Sequence, residues 1–136
     1  MTREPKEVVS AFVDALNARD WATLNGLFHD ELAYTVMGFD LPGAGTMDKT
    51  TALAVLPGMF AMFATGSPRL SIIRLIREGQ WVALEAEGSG EFLDGSSYEN
   101  RYSNIFEVVD GRVRTLHEYM DTQHMAALLQ AVSGNR

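Results

Sequence analysis

The chain has 136 residues, a length that fits one domain able to bury roughly two thirds of the surface its unfolded form exposes. It contains no cysteine, which excludes thiol catalysis, thiolate metal sites and disulfide scaffolding together. A formal charge of -7 without clustered Lys and Arg argues against a nucleic-acid surface, because phosphate binding needs concentrated positive charge.

The stretch from Met1 to Glu7 leads straight into a helical pattern, with no apolar run before a cleavage site and none long enough to span a bilayer. A soluble, cytoplasmic protein is the expectation. Val8, Val9, Phe12, Val13 and Leu16 recur at helical spacing, with Pro5 tolerated in the first turn, and predict an amphipathic helix over residues 4–18. Asp20 suits the cap of a short second helix whose inner face is Leu24, Leu27 and Phe28. Tyr34, Thr35 and Val36 favour a strand over 32–37, and the Gly- and Pro-rich stretch 38–45 reads as a loop. Thr46 is the expected cap of a third helix, with Leu53, Leu56, Phe60 and Phe63 inward and a kink or break at Pro57-Gly58.

The remainder is rich in strand signals: 69–77, 81–92, 98–109 and 112–121, separated by turns at Glu78-Gly79-Gln80, Asp94-Gly95 and Asp110-Gly111. Strands joined so tightly form an antiparallel meander. Met125, Leu128 and Leu129 mark a final helix, with Asp121 as its cap. The fold class is therefore α+β, with the N-terminal helices packed on the concave face of a curved antiparallel sheet, as one domain over 1–136. A concave sheet with one open end is a natural cup for a small ligand.

Side chains alternate across a strand, so Leu116, Glu118 and Met120 share one face while His117, Tyr119 and Asp121 share the other. The apolar neighbours select Glu118 for the interior, where desolvation would raise its pKa toward the range useful for acid/base chemistry. Asn100, Tyr102, Asn104 and Phe106 also share a face; Tyr102 and Asn104 either line the cup as neutral hydrogen-bonding groups or serve the core and backbone. On 81–92, parity sends Glu85 and Glu87 to solvent. Met59, Phe60, Met62 and Phe63 are either plain core or a Met and aromatic wall for a flat ligand. His29, His117 and His124 lie in separate elements without metal-ligand spacing. Ser10, Ser71 and Ser103 lack a nucleophile-elbow context, and no phosphate-binding glycine motif is present. No metal or other cofactor is called for.

The order of elements, together with Tyr98-x-Asn100-x-Tyr102, Phe106, Asp110-Gly111-Arg112-Val113 and Glu118-Tyr119-Met120-Asp121-Thr122, resembles the SnoaL-like and ketosteroid-isomerase-like proteins of the nuclear transport factor two superfamily. The resemblance implies a cone-shaped sheet, on a scaffold that hosts isomerases, cyclases, epoxide hydrolases, condensing enzymes and non-catalytic binders. It also implies a homodimer packed through the outer sheet face, where Arg69, Arg74, Arg77, Arg101 and Arg114 would form interface ion pairs with nearby acids.

Residue by residue, Glu118 matches the catalytic carboxylate of the limonene-epoxide hydrolases and the acid/base glutamate of the phenazine-biosynthesis condensing proteins. Tyr34 falls where the epoxide hydrolases keep a tyrosine that holds the attacking water, but Val36 stands in place of their asparagine. An ungapped match puts Glu85 and Glu87 where that family lines its pocket with an Arg and an Asp, against the parity of the strand. Two glutamates beside Glu118 would have to share a proton or face a cationic ligand. The strand 33–37 has no carboxylate where the steroid isomerases place their base.

The function these features imply is cofactor-free acid/base catalysis on a hydrophobic carbonyl or epoxide compound. Glu118 would move the proton, Glu87 would be a second carboxylate, and Tyr34, Tyr102 or Asn104 would orient an oxygen. Glu85, Met120, Phe63 and Met59 would complete the ligand wall. The alternatives are a binding module that shelters a small apolar ligand unchanged, and an assembly domain whose dimer surface is its purpose.

Overall fold

A computed structural model describes residues 3–134; positions 1–2 and 135–136, part of the expected 1–136 domain, lie outside it. Helix α1 (Pro5–Ala18) begins with its proline in the first turn, where the missing N–H costs no helical bond. It ends at Arg19, which takes a left-handed conformation with φ 55°. Asp20 caps α2 (Trp21–Leu27) by accepting from the Thr23 amide at 3.1 Å.

Strand β1 (Phe28–Val36) starts earlier than the sequence pattern predicts. Phe28 belongs to the strand and not to α2: it is fully buried and pairs with Val113. Thr46 likewise does not cap a helix. It sits in a short strand, β2 (Gly45–Met47), where its hydroxyl lies 2.8 Å from that of Thr35. Asp48 takes the capping role, accepting from the Thr51 amide at the start of α3 (Lys49–Phe60). That helix continues through Pro57 and ends at Phe60. Phe63, expected on the helix, lies beyond it in an isolated bridge with Phe92.

Four strands follow as the predicted meander: β3 (Arg69–Glu78), β4 (Trp81–Glu91), β5 (Ser97–Val109) and β6 (Arg112–Met120). Their neighbours are antiparallel. Asp110 and Gly111 both have positive φ, as a two-residue hairpin turn demands. Helix α4 (Thr122–Gly134) closes the chain, with Asp121 accepting from the His124 amide at 3.0 Å.

The sheet order is β2-β1-β6-β5-β4-β3, and β1 runs parallel to β6. The sheet is therefore mixed, a correction to the expected all-antiparallel arrangement. Tight turns fix direction only within the meander, whereas β1 meets β6 through a long connection that permits parallel pairing.

Two apolar clusters fill the concave side. The larger packs α1 through Val8, Val9, Phe12, Val13 and Leu16 against Phe28, Val82, Leu84, Phe106, Val113 and Leu116. Phe12 meets the edge of Phe106 at 5.3 Å, an arrangement that suits the ring quadrupoles. The smaller joins Leu41, Phe63, Phe92, Tyr98 and Met125 beneath α4. Asn17 ties α1 to the edge strand β3, accepting from Leu70 N at 2.8 Å and donating to Leu70 O at 2.9 Å. The backbone groups of Leu70, on a strand at the edge of the sheet, are thereby satisfied.

Candidate active site

A cavity of about 80 Å³ lies where the two clusters meet, walled by residues from both. Strand parity builds its polar side. Tyr34 on β1, Glu118 and Met120 on β6, and Tyr102 and Asn104 on β5 all turn inward to line it. The register places Val36 opposite Glu118 and Asn104 opposite Glu118 on its other flank, so three strands converge on one carboxylate. Met59 and Phe63, with Phe60 and Met62, supply an apolar wall from the end of α3 and the turn after it.

Glu118 and Tyr34 form the central contact: the phenol donates to Oε1 at 2.8 Å. Glu118 is enclosed on the inner face of the sheet, and the surface it retains looks into the cavity. Desolvation lifts its carboxyl above the ordinary range, while the hydrogen bond from Tyr34 pulls the other way. The phenol of Tyr34 is pushed well up by burial first and by the nearby Glu118 charge second.

A second phenol pair stands beside it. The hydroxyls of Tyr98 and Tyr102 hydrogen-bond to each other, and both pKa values are raised, chiefly by burial. Each phenol owns one hydrogen, so one is used within the pair and the other is free for a ligand. Asn104 spends its Oδ1 on the Tyr119 amide at 3.0 Å. Donors are thus available around Glu118, and Oε2 of Glu118 has no hydrogen-bond partner among the described residues.

Tyr102 fits because Gly88 faces it from β4. A Cβ at Gly88 would come 3.1 Å from both Tyr102 Cε2 and Leu70 Cδ2. At the rim, Arg19 donates to the carbonyls of Leu16, Ser67 and Pro68 and lies 4.3 Å from the centroid of the Phe60 ring. It fastens the end of α1 to two elements of the cavity wall.

Glu85 and Glu87 are not in this cavity. Both point to the outer face, Glu85 paired with Arg74 at 2.6 Å and Glu87 near Arg101 at 3.8 Å. The resemblance suggested pocket positions for them, but alternation along β4 decides. Val82, Leu84, Ala86 and Gly88 occupy the buried parity and leave the glutamates the other. Arg77 and Arg114, expected among the outer-face ion pairs, are engaged within the chain by Glu4 and Glu107.

Several wall residues escaped the sequence reading. In the sequence Tyr98 stands out only as part of a motif, and Phe12, Leu56, Leu84, Ala86 and Met125 carry ordinary core patterns. Only the shared parity of Tyr98 with Tyr102 on β5 pointed to the former.

Residues 9–116 match the SnoaL-like domain. No curated protein matches the chain. Solved structures align with it almost end to end. An NTF2-like protein from Burkholderia thailandensis is similar with a TM-score of 0.80 and 21% identity, over 95% of this chain and 99% of that one. IdmH, a putative polyketide cyclase from Streptomyces antibioticus, gives 0.73 and 21%, over 95% and 99%. An LEH-like epoxide hydrolase from M. tuberculosis gives 0.73 and 23%, over 98% of each chain.

Proposed function

Since the chain belongs to the SnoaL-like domain family, we propose that it is an acid/base enzyme acting on a small hydrophobic compound that carries a carbonyl or an epoxide. The observation that supports this most is the Tyr34–Glu118 hydrogen bond inside an otherwise apolar cavity. Tyr34 holds Oε1 and leaves Oε2 of Glu118 to take a proton, from the carbon beside a carbonyl or from a water attacking an epoxide. Negative charge then develops on the substrate oxygen, where the free hydroxyl hydrogen of the Tyr98–Tyr102 pair or the amide of Asn104 can receive it. Glu118 returns the proton to complete the cycle. Burial suits the task, because a carboxyl raised from its ordinary pKa is a better base once ionised.

The test is turnover of a panel of small enones, ketones and epoxides by the wild type and by Glu118→Gln. The expected loss is on the order of 10²–10⁴-fold, the usual contribution of a positioned acid/base group. Unchanged turnover in the variant would remove Glu118 from the mechanism.

One observation favours a second reading, a binding module. With Glu85 and Glu87 on the outer face, the cavity holds, among the described residues, a single carboxylate and no second acid. Recovery of ligand unaltered after long incubation, with Glu118→Gln changing affinity alone, would support that reading over catalysis.

The outer face of the sheet is proposed as a homodimer surface. Ile73 and Tyr119 are exposed there at 45% and 42%, beside the Arg74–Glu85 pair. Apolar side chains among ion pairs suit a self-complementary contact.

A further inference from the structure

Glu118 enters the cavity with no cation facing it. Among the described residues, the wall contains no Lys, Arg or His, and Glu118 is its one carboxylate. The carboxylate has a single hydrogen-bond partner there, the Tyr34 hydroxyl. The cavity is lined by the rings of Phe12, Tyr34, Phe63, Tyr98 and Tyr102, and by that of Phe60, one face of which already carries the Arg19 guanidinium.

These features discriminate sharply by ligand charge. Folding has withdrawn Glu118 from most of its contact with bulk water, leaving only the surface that faces the cavity, so much of its dehydration is borne before any ligand arrives. A cation reaching Oε2 gains Coulomb energy under weak screening and demands less further dehydration of its partner than an exposed carboxylate would. The electron-rich faces of aromatic rings attract the same cation. An anion would be repelled by Glu118, and a neutral molecule would gain only contact and one hydrogen bond. Burial raises the carboxyl of Glu118; a cation alongside would favour its ionised form.

Shape adds a second restriction. A volume of about 80 Å³ is compact, and the wall away from the polar cluster is Leu, Met, Phe, Val, Ala and Pro. The occupant must be compact, apolar over most of its surface, and positive at one point.

We propose that this cavity binds small apolar ammonium ions, an N–H donating to Glu118 and the alkyl groups lying against the rings. The inference rests on the Glu118 cavity being the ligand site, and it does not require that any reaction occur there. In an active enzyme such an ion would compete with the neutral substrate.

The test is ligand-observed NMR titration of the full chain at neutral pH with tert-butylammonium and its neutral isostere tert-butanol, repeated with Glu118→Gln. The wild type is expected to prefer the ammonium by about tenfold or more, and the variant to lose that preference. Equal or tighter binding of the alcohol by the wild type overturns the proposal without reference to any variant. A preference that survives in a folded Glu118→Gln overturns it too, because the ion would then be held elsewhere. If neither compound binds, the proposal fails along with the reading of the cavity as a ligand site. Loss of turnover in Glu118→Gln alongside no ammonium preference would sink this proposal alone and leave the catalytic one standing.

Discussion

Tyr34 and Glu118 are 84 positions apart, yet the phenol of one donates to the carboxylate of the other at 2.8 Å. Parallel pairing of β1 with β6 makes this possible: Tyr34 sits opposite Leu116, two residues before Glu118 on the same face. The contact therefore runs diagonally across the pair. Because Tyr34 stabilises the ionised carboxylate, it opposes the desolvation that raises the pKa of Glu118.

Tyr34→Phe should accordingly raise the pKa of Glu118 further. For a reaction that needs Glu118 ionised, the acidic limb of the kcat/KM profile should move to higher pH. A pH–rate profile checks this, as does NMR titration of the free protein with labelled glutamate. A limb that moves to lower pH would contradict the hydrogen-bond assignment.

Glu118 should also cost the fold stability at neutral pH. Its folded-state pKa lies above the unfolded value, so its contribution is fully present below about pH 4.3 and is lost as pH rises through the folded value. Glu118→Gln keeps an acceptor for Tyr34 and removes the charge. Calorimetry should find the variant more stable than the wild type at pH 8, with the difference shrinking toward pH 4.

Glu107 has the opposite sign. It accepts from Gln80, Thr115 and Arg114, and the Arg114 hydrogen bond leads the forces that hold its carboxyl down to about 2. Its stabilisation is present above the unfolded value of about 4.3 and is lost as pH falls through about 2. Glu107→Gln should cost about 1.5–3 kcal/mol at pH 7 and flatten the acid limb of the stability curve. Acid titration followed by circular dichroism measures both effects.

Gly88→Ala places a methyl 3.1 Å from Tyr102 and Leu70. An overpacked position of this kind costs about 1–3 kcal/mol, and displacement of Tyr102 should weaken ligand binding as well. Gly58→Ala is the control: nothing lies within 4 Å of its new methyl, and it sits inside α3. That substitution should stabilise by about 0.5–1 kcal/mol and leave binding unchanged, as thermal melts and titrations would record.

Ile73→Asp should disturb self-association if the outer face is the dimer surface. Light scattering on the eluting protein is expected to give a dimer mass for the wild type and a monomer mass for the variant. A wild-type monomer at micromolar concentration would exclude the surface from that role.

The sequence was legible wherever local chemistry and strand parity decide. The Asp110-Gly111 turn, the meander and the inward direction of Glu118 follow from residue type and alternation alone. Glu85 and Glu87 show the limit of alignment to a distant family: parity along β4 described them correctly, and the matched positions did not. Thr46 and Asp48 are both good caps by composition, and only the pairing of β2 with β1 settles which one serves. The Tyr98–Tyr102 contact was out of reach. Residues four apart on a straight strand are roughly 13 Å apart at Cα, so their hydroxyls meet only because both side chains lean to one point.

The seam between the two apolar clusters bears on how anything enters. A void at a boundary can open by partial undocking of the smaller side, without disturbing the packing of α1 on the sheet. Such opening is a local event whose free energy is smaller than that of global unfolding. Amide exchange should then be faster over residues 122–134 than over 5–18, and a captured ligand should slow the first group and leave the second untouched. Breathing of the C-terminal helix, and not the affinity of the polar cluster, would set how quickly the cavity fills.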